Sequence, residues 1–318
     1  GGRVPHAVPP GRSSMSSYRQ AYAPPGEYVK DHTIFRWDGR WHLLSISGRR
    51  GESWQAVGNE ECFSHSISED LLRWNFVGHT LEAGKPPAQD ADMVWAPYAL
   101  EPDADARMVT ALYTACRQPN RGRPDYQADA TREIRIATSK DLRHWRPQAT
   151  SRRVPGKDPH VLKLSDGFAV YCMDGEYPGM TAYFSADLSE FGEPIPAYSD
   201  APADLRGRNI YESPSVLYYE PWGRYILFLN LGYAVSDSPW RFTGFQEYKT
   251  DAPAIADELA AEEPYHHPRL GFAREVFRDP TRSDRVLSTS CFGPAAHWKL
   301  VLFSVHFGSE RSIELQRL

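Results

Sequence analysis

Ser68-Glu-Asp-Leu-Leu-Arg-Trp74 recurs along the chain as Ser139-Lys-Asp-Leu-Arg-His-Trp145 and again as Ser185-Ala-Asp-Leu-Ser-Glu-Phe191. A degenerate fourth copy is Ser236-Asp-Ser-Pro-Trp240. Each copy follows a run with strand character, such as Ile134 to Thr138 or Ala182 to Phe184. Ser and Asp at these spacings suit a turn in which their side chains bond nearby backbone amides, and the Leu and the aromatic are expected to tuck beneath it. An internal repeat of this kind points to a stack or ring of like units.

Working outward, a second element precedes each turn: an acidic residue, a short strand, a tight turn and an aromatic-rich strand. Asp31-His-Thr-Ile-Phe leads through Asp38-Gly39 into Arg40-Trp-His-Leu-Leu-Ser-Ile46. Asp158-Pro-His-Val-Leu leads through Asp166-Gly167 into Phe168-Ala-Val-Tyr171, and Glu212-Ser-Pro-Ser-Val-Leu through Trp222-Gly223 into Arg224-Tyr-Ile-Leu-Phe-Leu229. Asp-Gly between strand runs is a strong hairpin signal. Two looser units lie around Val94 to Tyr98 with Met108 to Tyr113, and around Arg285 to Ser290 with Trp298 to Val305. The units repeat at roughly 50 to 65 residues, a length suited to four-stranded blades. The expected fold is therefore all-β, a five-bladed β-propeller. A sandwich would not need one turn motif at a fixed place after each hairpin, and a solenoid would use shorter repeats.

Residues 1–27, rich in Pro, Gly and Ser, read as an extended or disordered arm, and residues 28–318 as one catalytic propeller. The terminal strand Ser312 to Gln316 is expected to help close the ring. Ala252 to Glu263 reads as a short helix.

Nine Trp and seventeen Tyr make the chain rich in residues that serve both strands and sugar-stacking surfaces. A net charge of −5, with Lys and Arg scattered, speaks against a nucleic-acid partner. No apolar run reaches membrane-spanning length, so no membrane partner is expected. Gly1 to Ser17 lacks the regions of a leader peptide. The compartment stays open between the cytoplasm and secretion with a leader already removed. Cys62, Cys116, Cys172 and Cys291 form no CxxC pair and read as buried free thiols.

In a propeller the innermost strand of each blade lines the central channel, so residues at the starts of those strands converge on one mouth. Asp31, Asp158 and Glu212 are read as occupying equivalent places in their units and sharing that funnel. Crowded carboxyl groups raise at least one pKa, supplying a protonated acid beside an ionised partner. Glycoside hydrolysis uses such a pair.

With these motifs the chain resembles the five-bladed propeller glycosidases of families 43, 32, 62 and 68 over about residues 28 to 307. The marks are Lys30-Asp31, Trp95-Ala-Pro97, Lys157-Asp158-Pro159, Glu212-Ser-Pro214 and the Ser-x-Asp-Leu-x-x-Trp turn. The resemblance implies that Asp31 is general base or nucleophile, that Glu212 is general acid, and that Asp158 holds substrate and tunes Glu212. It also implies that Trp95 walls the first sugar subsite. His32 stands where the family usually has Pro, and Lys157 where the fructosidase branch has Arg.

His32, Trp54 and Arg208 join Trp95 as candidate substrate-binding residues, with Asn209 beside Arg208. Trp74, Trp145 and Trp240 belong to the repeated turn and read as blade packing. His160, the pair His266 and His267, and His306 read as structural. No cofactor is required. The resemblance allows a structural calcium in the channel, with His297 as a weak candidate metal neighbour, although nothing resembles a dedicated carboxylate loop. The expected partner is a small molecule or oligosaccharide. Two other function classes fit the same residues: non-hydrolytic acid/base chemistry on a specialised metabolite (lyase, cyclase or hydratase), and carbohydrate binding without catalysis.

Overall fold

The computed structural model describes residues 21–102, 107–203, 210–250, 271–293 and 295–318. The helix expected over residues 252–263, the His266 and His267 pair, and residues 208 and 209 lie outside this description, as do residues 1–20 of the expected arm.

Alternating apolar and aromatic runs form β-sheets throughout. The first sheet is β1 (Glu27–Trp37), β2 (Arg40–Arg49), β3 (Phe63–Ser68) and β4 (Asn75–Thr80). The second is β5 (Met93–Ala99), β6 (Val109–Arg117), β7 (Thr131–Ser139) and β8 (Trp145–Gln148), with β9 (Val154–Pro155) also pairing β7. The third is β10 (Lys157–Lys163), β11 (Phe168–Met173), β12 (Met180–Ser185) and β13 (Ile195–Tyr198). The fourth is β14 (Ser215–Tyr219), β15 (Arg224–Phe228), β16 (Gly232–Ser236) and β17 (Gln246–Glu247). The fifth runs β18 (Lys249–Thr250), β22 (Ile313–Arg317), β21 (Lys299–Phe307), β20 (Arg282–Phe292) and β19 (Phe272–Asp279).

The first strands meet in cyclic order: β1 touches β5, β5 touches β10, β10 touches β14, β14 touches β19, and β19 returns to β1. This is a five-bladed β-propeller. Five hydrophobic clusters fill the seams between neighbouring blades. Phe35, Ile46 and Tyr113 belong to the seam of blades one and two, and Val29, Leu43 and Leu287 to that of blades one and five. The sequence places the last unit around Arg285 to Ser290 with Trp298 to Val305. The structure makes Arg285 to Ser290 part of β20 and puts β19 on the channel. Glu275 and Val276 there carry no repeat signature.

The repeated turns sit between the third and fourth strands of blades one to four. Ser68 Oγ accepts the N–H of Leu71 at 2.9 Å, and Asp70 Oδ1 accepts those of Leu72 and Arg73 at 2.9 and 2.8 Å. Ser139 and Asp141, then Ser185 and Asp187, repeat these bonds. Leu71, Leu142 and Leu188 take a left-handed backbone (φ 65°, 58° and 66°) and bury their side chains. Burial of a Leu side chain, worth about 2 kcal/mol, offsets the cost of that conformation.

The ring closes through the first described residues. Tyr22 exchanges backbone hydrogen bonds with Leu300 of β21 at 2.9 and 2.8 Å, and Val29 donates to the Trp298 carbonyl at 3.0 Å. β22 pairs β21 and β18 inside the fifth blade, so Tyr22, rather than β22, crosses from blade five to blade one.

Candidate active site

One backbone feature repeats in all five blades at the channel. Asp31, Ala96, Asp158, Ser213 and Ala273 have positive φ (29°, 44°, 56°, 51° and 52°). The pairing register shifts at the first three and at Ala273, and Ser213 lies just before β14. Such a bulge re-aims the side chains around it and costs about 1 kcal/mol or more for a non-glycine residue. It also corrects the sequence alignment of the acids. Asp31 and Asp158 stand on the kink itself, and their equivalent in blade four is Ser213. Glu212 stands one residue earlier, where blades one and three carry Lys30 and Lys157.

The kink draws the three acids together through Ser213. Its Oγ donates to Asp31 Oδ1 at 3.2 Å and its N–H to Asp158 Oδ2 at 3.2 Å, while Glu212 is its chain neighbour. Asp158 N–H is held by Thr114 Oγ1 at 3.0 Å. Lys157 Nζ donates to Glu212 Oε1 at 2.7 Å. Asp31 and Asp158 are buried, whereas the Glu212 side chain keeps 21% of its surface open.

Burial pushes the Asp31 carboxyl up to about 7; Lys30 and Lys157 oppose the rise, while Asp158 and Glu212 add to it. Asp158 is raised as well, by burial first, with Lys157 opposing and Glu212 reinforcing. Burial alone would favour neutral amines at Lys157 and Lys30. The carboxylates Asp158 and Glu212 at the first, and Glu60 and Asp31 at the second, outweigh it and raise both. The site can thus offer a carboxyl that exchanges its proton near neutrality beside fixed ammonium groups.

Aromatic residues wall one side. Lys30 Nζ lies 5.5, 5.6 and 5.9 Å from the ring centres of Trp54, Trp95 and Trp298. Trp54 meets Trp95 edge-on at 5.8 Å and Tyr126 at 5.4 Å. Trp95, expected to wall a subsite, is buried, and the Arg132 guanidinium lies 5.4 Å from its ring centre. Glu60, Ser213 and Arg132 were missed by sequence reasoning. Lys30 and Lys157 were noticed as motif residues and given no role. Their shared place on the repeat was the signal that could have found them.

Two of the acids, Asp31 and Asp158, line a cavity of about 20 Å³, room for about one water, together with Ser213, Tyr98, His160 and Glu275 among others. His32 turns away from solvent: its Nε2 meets Thr289 Oγ1 at 2.6 Å, and burial lowers its pKa to about 3. His160 Nε2 lies 2.9 Å from both the amide nitrogen and the carbonyl oxygen of Val216, tying blade three to blade four. Among the described residues no three His, Cys, Asp or Glu side chains are arranged to hold a metal ion. His297 packs against the loop at Gly51. All four cysteines are free thiols.

No protein-family model matches the chain, and no curated protein does. Solved structures do. A family 32 β-fructofuranosidase of Bombyx mori superposes with a TM-score of 0.65 at 14% identity, over 94% of this chain and 65% of that enzyme. A thermostable family 43 glycoside hydrolase gives 0.63 at 16% identity, over 91% and 93% of the two chains. The chain shares the five-bladed propeller fold of these two structures. A family 43 enzyme of Xanthomonas citri repeats the match at a TM-score of 0.61 and 15% identity, covering 91% of this chain and 92% of its own. The chain thus spans less than two thirds of the Bombyx mori enzyme and nearly all of the two family 43 enzymes. At such identities the likeness speaks for the propeller alone.

Proposed function

We propose that the chain is a glycoside hydrolase, or a transglycosidase using the same chemistry, acting on arabinofuranosides, xylosides, fructosides or related sugars. The observation that carries this reading is the link through Ser213, which gathers two buried aspartates and a more open glutamate at the channel mouth. In it, Asp31 in its ionised form attacks the anomeric carbon or activates water. Glu212 protonates the leaving oxygen, and Asp158 orients the sugar. The Lys157 ammonium bonds Glu212 Oε1, so the proton for the leaving group is carried on the other carboxyl oxygen or the ammonium moves aside. Similarity to glycosidase structures supports the proposal through the fold.

A panel of aryl arabinofuranosides, xylosides and fructosides tests it. Turnover should rise with pH through about 7 as Asp31 ionises, and Glu212→Gln should lower kcat by about 100-fold or more with thermal unfolding unchanged. Unaltered turnover in that variant would sink the assignment.

The cover over Trp95 favours a second reading, proton transfer on a small metabolite without glycosidic cleavage, because a buried ring offers a sugar little stacking surface. No cleavage of any panel member, with another activity lost in Asp31→Asn, would select it.

A further inference from the structure

Glu60 lies in the loop between β2 and β3 and takes no part in the chemistry above. It is fully buried, with φ at 55°. Its backbone is locked on both sides: its N–H donates to Ser47 at 2.7 Å, and its carbonyl accepts from Val94 at 3.0 Å. Both carboxyl oxygens are committed. Tyr28 Oη donates to Oε1 at 3.0 Å, and Lys30 Nζ reaches Oε1 at 3.0 Å and Oε2 at 3.2 Å. A buried carboxylate is tolerated only when paired in this way. On its other sides the same ammonium is enclosed by Trp54, Trp95 and Trp298.

We infer that Glu60 is a positioning residue: it holds the Lys30 ammonium inside the tryptophan box and thereby sets how much of that positive charge reaches Asp31, the next residue along β1. The remaining titratable groups around Asp31 come from blades two to five. They are Tyr98 from β5, Asp158, Lys157 and His160 from β10, Glu212 ahead of β14, and Arg274, Glu275 and Cys291 from β19 and β20. Tyr28 and His32 lie on β1 itself. Lys30 is the strongest opposing charge among them, and its place is fixed by a residue outside the acid cluster.

The test is a carboxyl-carbon NMR titration of the full chain, with the Asp31 signal identified by its loss in Asp31→Asn. In Glu60→Gln the freed ammonium and the lost negative charge act together, and the Asp31 midpoint should fall by about one unit. In Lys30→Met it should rise by about one unit. Opposite signs exclude loosened packing, but the two charge deletions would also produce them directly, so Glu60→Asp decides. It keeps the charge and shortens the arm, and the Asp31 midpoint should fall as the ammonium settles toward Asp31. An unmoved midpoint in a folded Glu60→Asp overturns the positioning role. Shifts of one sign in Glu60→Gln and Lys30→Met, or no shift in either, overturn the inference as well. The titration needs no sugar cleavage, so its outcome is separate from that of the glycosidase proposal.

Discussion

Ser213 holds two acids of different blades at once, its hydroxyl on Asp31 and its amide on Asp158, both at 3.2 Å. The hydroxyl favours the ionised form of Asp31, since a hydrogen bond to a charged group contributes about 1.5 kcal/mol. Ser213→Ala keeps the amide and removes the hydroxyl. The midpoint of Asp31 should then rise by about one unit, and the pH dependence of kcat/KM should move to higher pH with it. A profile that does not move would show that the contact leaves Asp31 unaffected.

The repeated turns were legible because their chemistry is local: Ser139 and Asp141 bond amides two and three residues away. The same locality let blades one to four be counted from the chain. Glu212 was misaligned by one place because the left-handed kink falls on Asp31, Ala96, Asp158, Ser213 and Ala273, and Asp, Ala and Ser share no common local signal. Matching acid to acid hid that the equivalent of Asp158 is a serine. Glu60 was illegible for a different reason. It lies in a loop outside the repeat, and its partners Tyr28 and Lys30 are about 30 residues away in sequence.

Asp31 also makes stability depend on pH. Its carboxyl is raised from 3.8 to about 7 in the folded chain. Between those values the folded state keeps a proton that the unfolded chain has released. The stabilisation this gives is full below pH 3.8 and is lost as pH rises through about 7. Asp31→Asn removes the titration. At pH 8 it should raise stability by up to about 4 kcal/mol, or several degrees in Tm, with little gain at pH 4. Thermal scans of both proteins at the two pH values decide this, and an equal gain at both would refute the linkage.

The turns at the far end of the strands should affect stability without touching the chemistry. Ser139→Ala strips the acceptor from the buried Leu142 amide, 2.9 Å away, and an orphaned buried N–H costs about 1 to 3 kcal/mol. Urea unfolding should show a loss of that size with an unchanged slope. Ser236→Ala, in the degenerate copy, loses a bond from the half-buried Ser238 amide and one to the exposed Arg241 carbonyl, groups that water can reach, and should cost less. Equal losses in the two variants would contradict the account of the turn.

Lys157 is a cation that all three acids share. It bonds Glu212 at 2.7 Å, and its charge restrains the rise of both Asp158 and Asp31. Lys157→Met removes that restraint, so both aspartates should need higher pH to ionise. Turnover at pH 7 should fall by about 10-fold or more, with part of the loss recovered at pH 9 as Asp31 ionises again. Lys157→Arg keeps the positive charge and can pair with the carboxylate through two donors. It should therefore hold the wild-type midpoint, and any loss of turnover should be the same at every pH. A methionine variant impaired equally at pH 7 and pH 9 would mean that Lys157 acts by shape or by contact with substrate, and that its charge does not set the protonation of the acids.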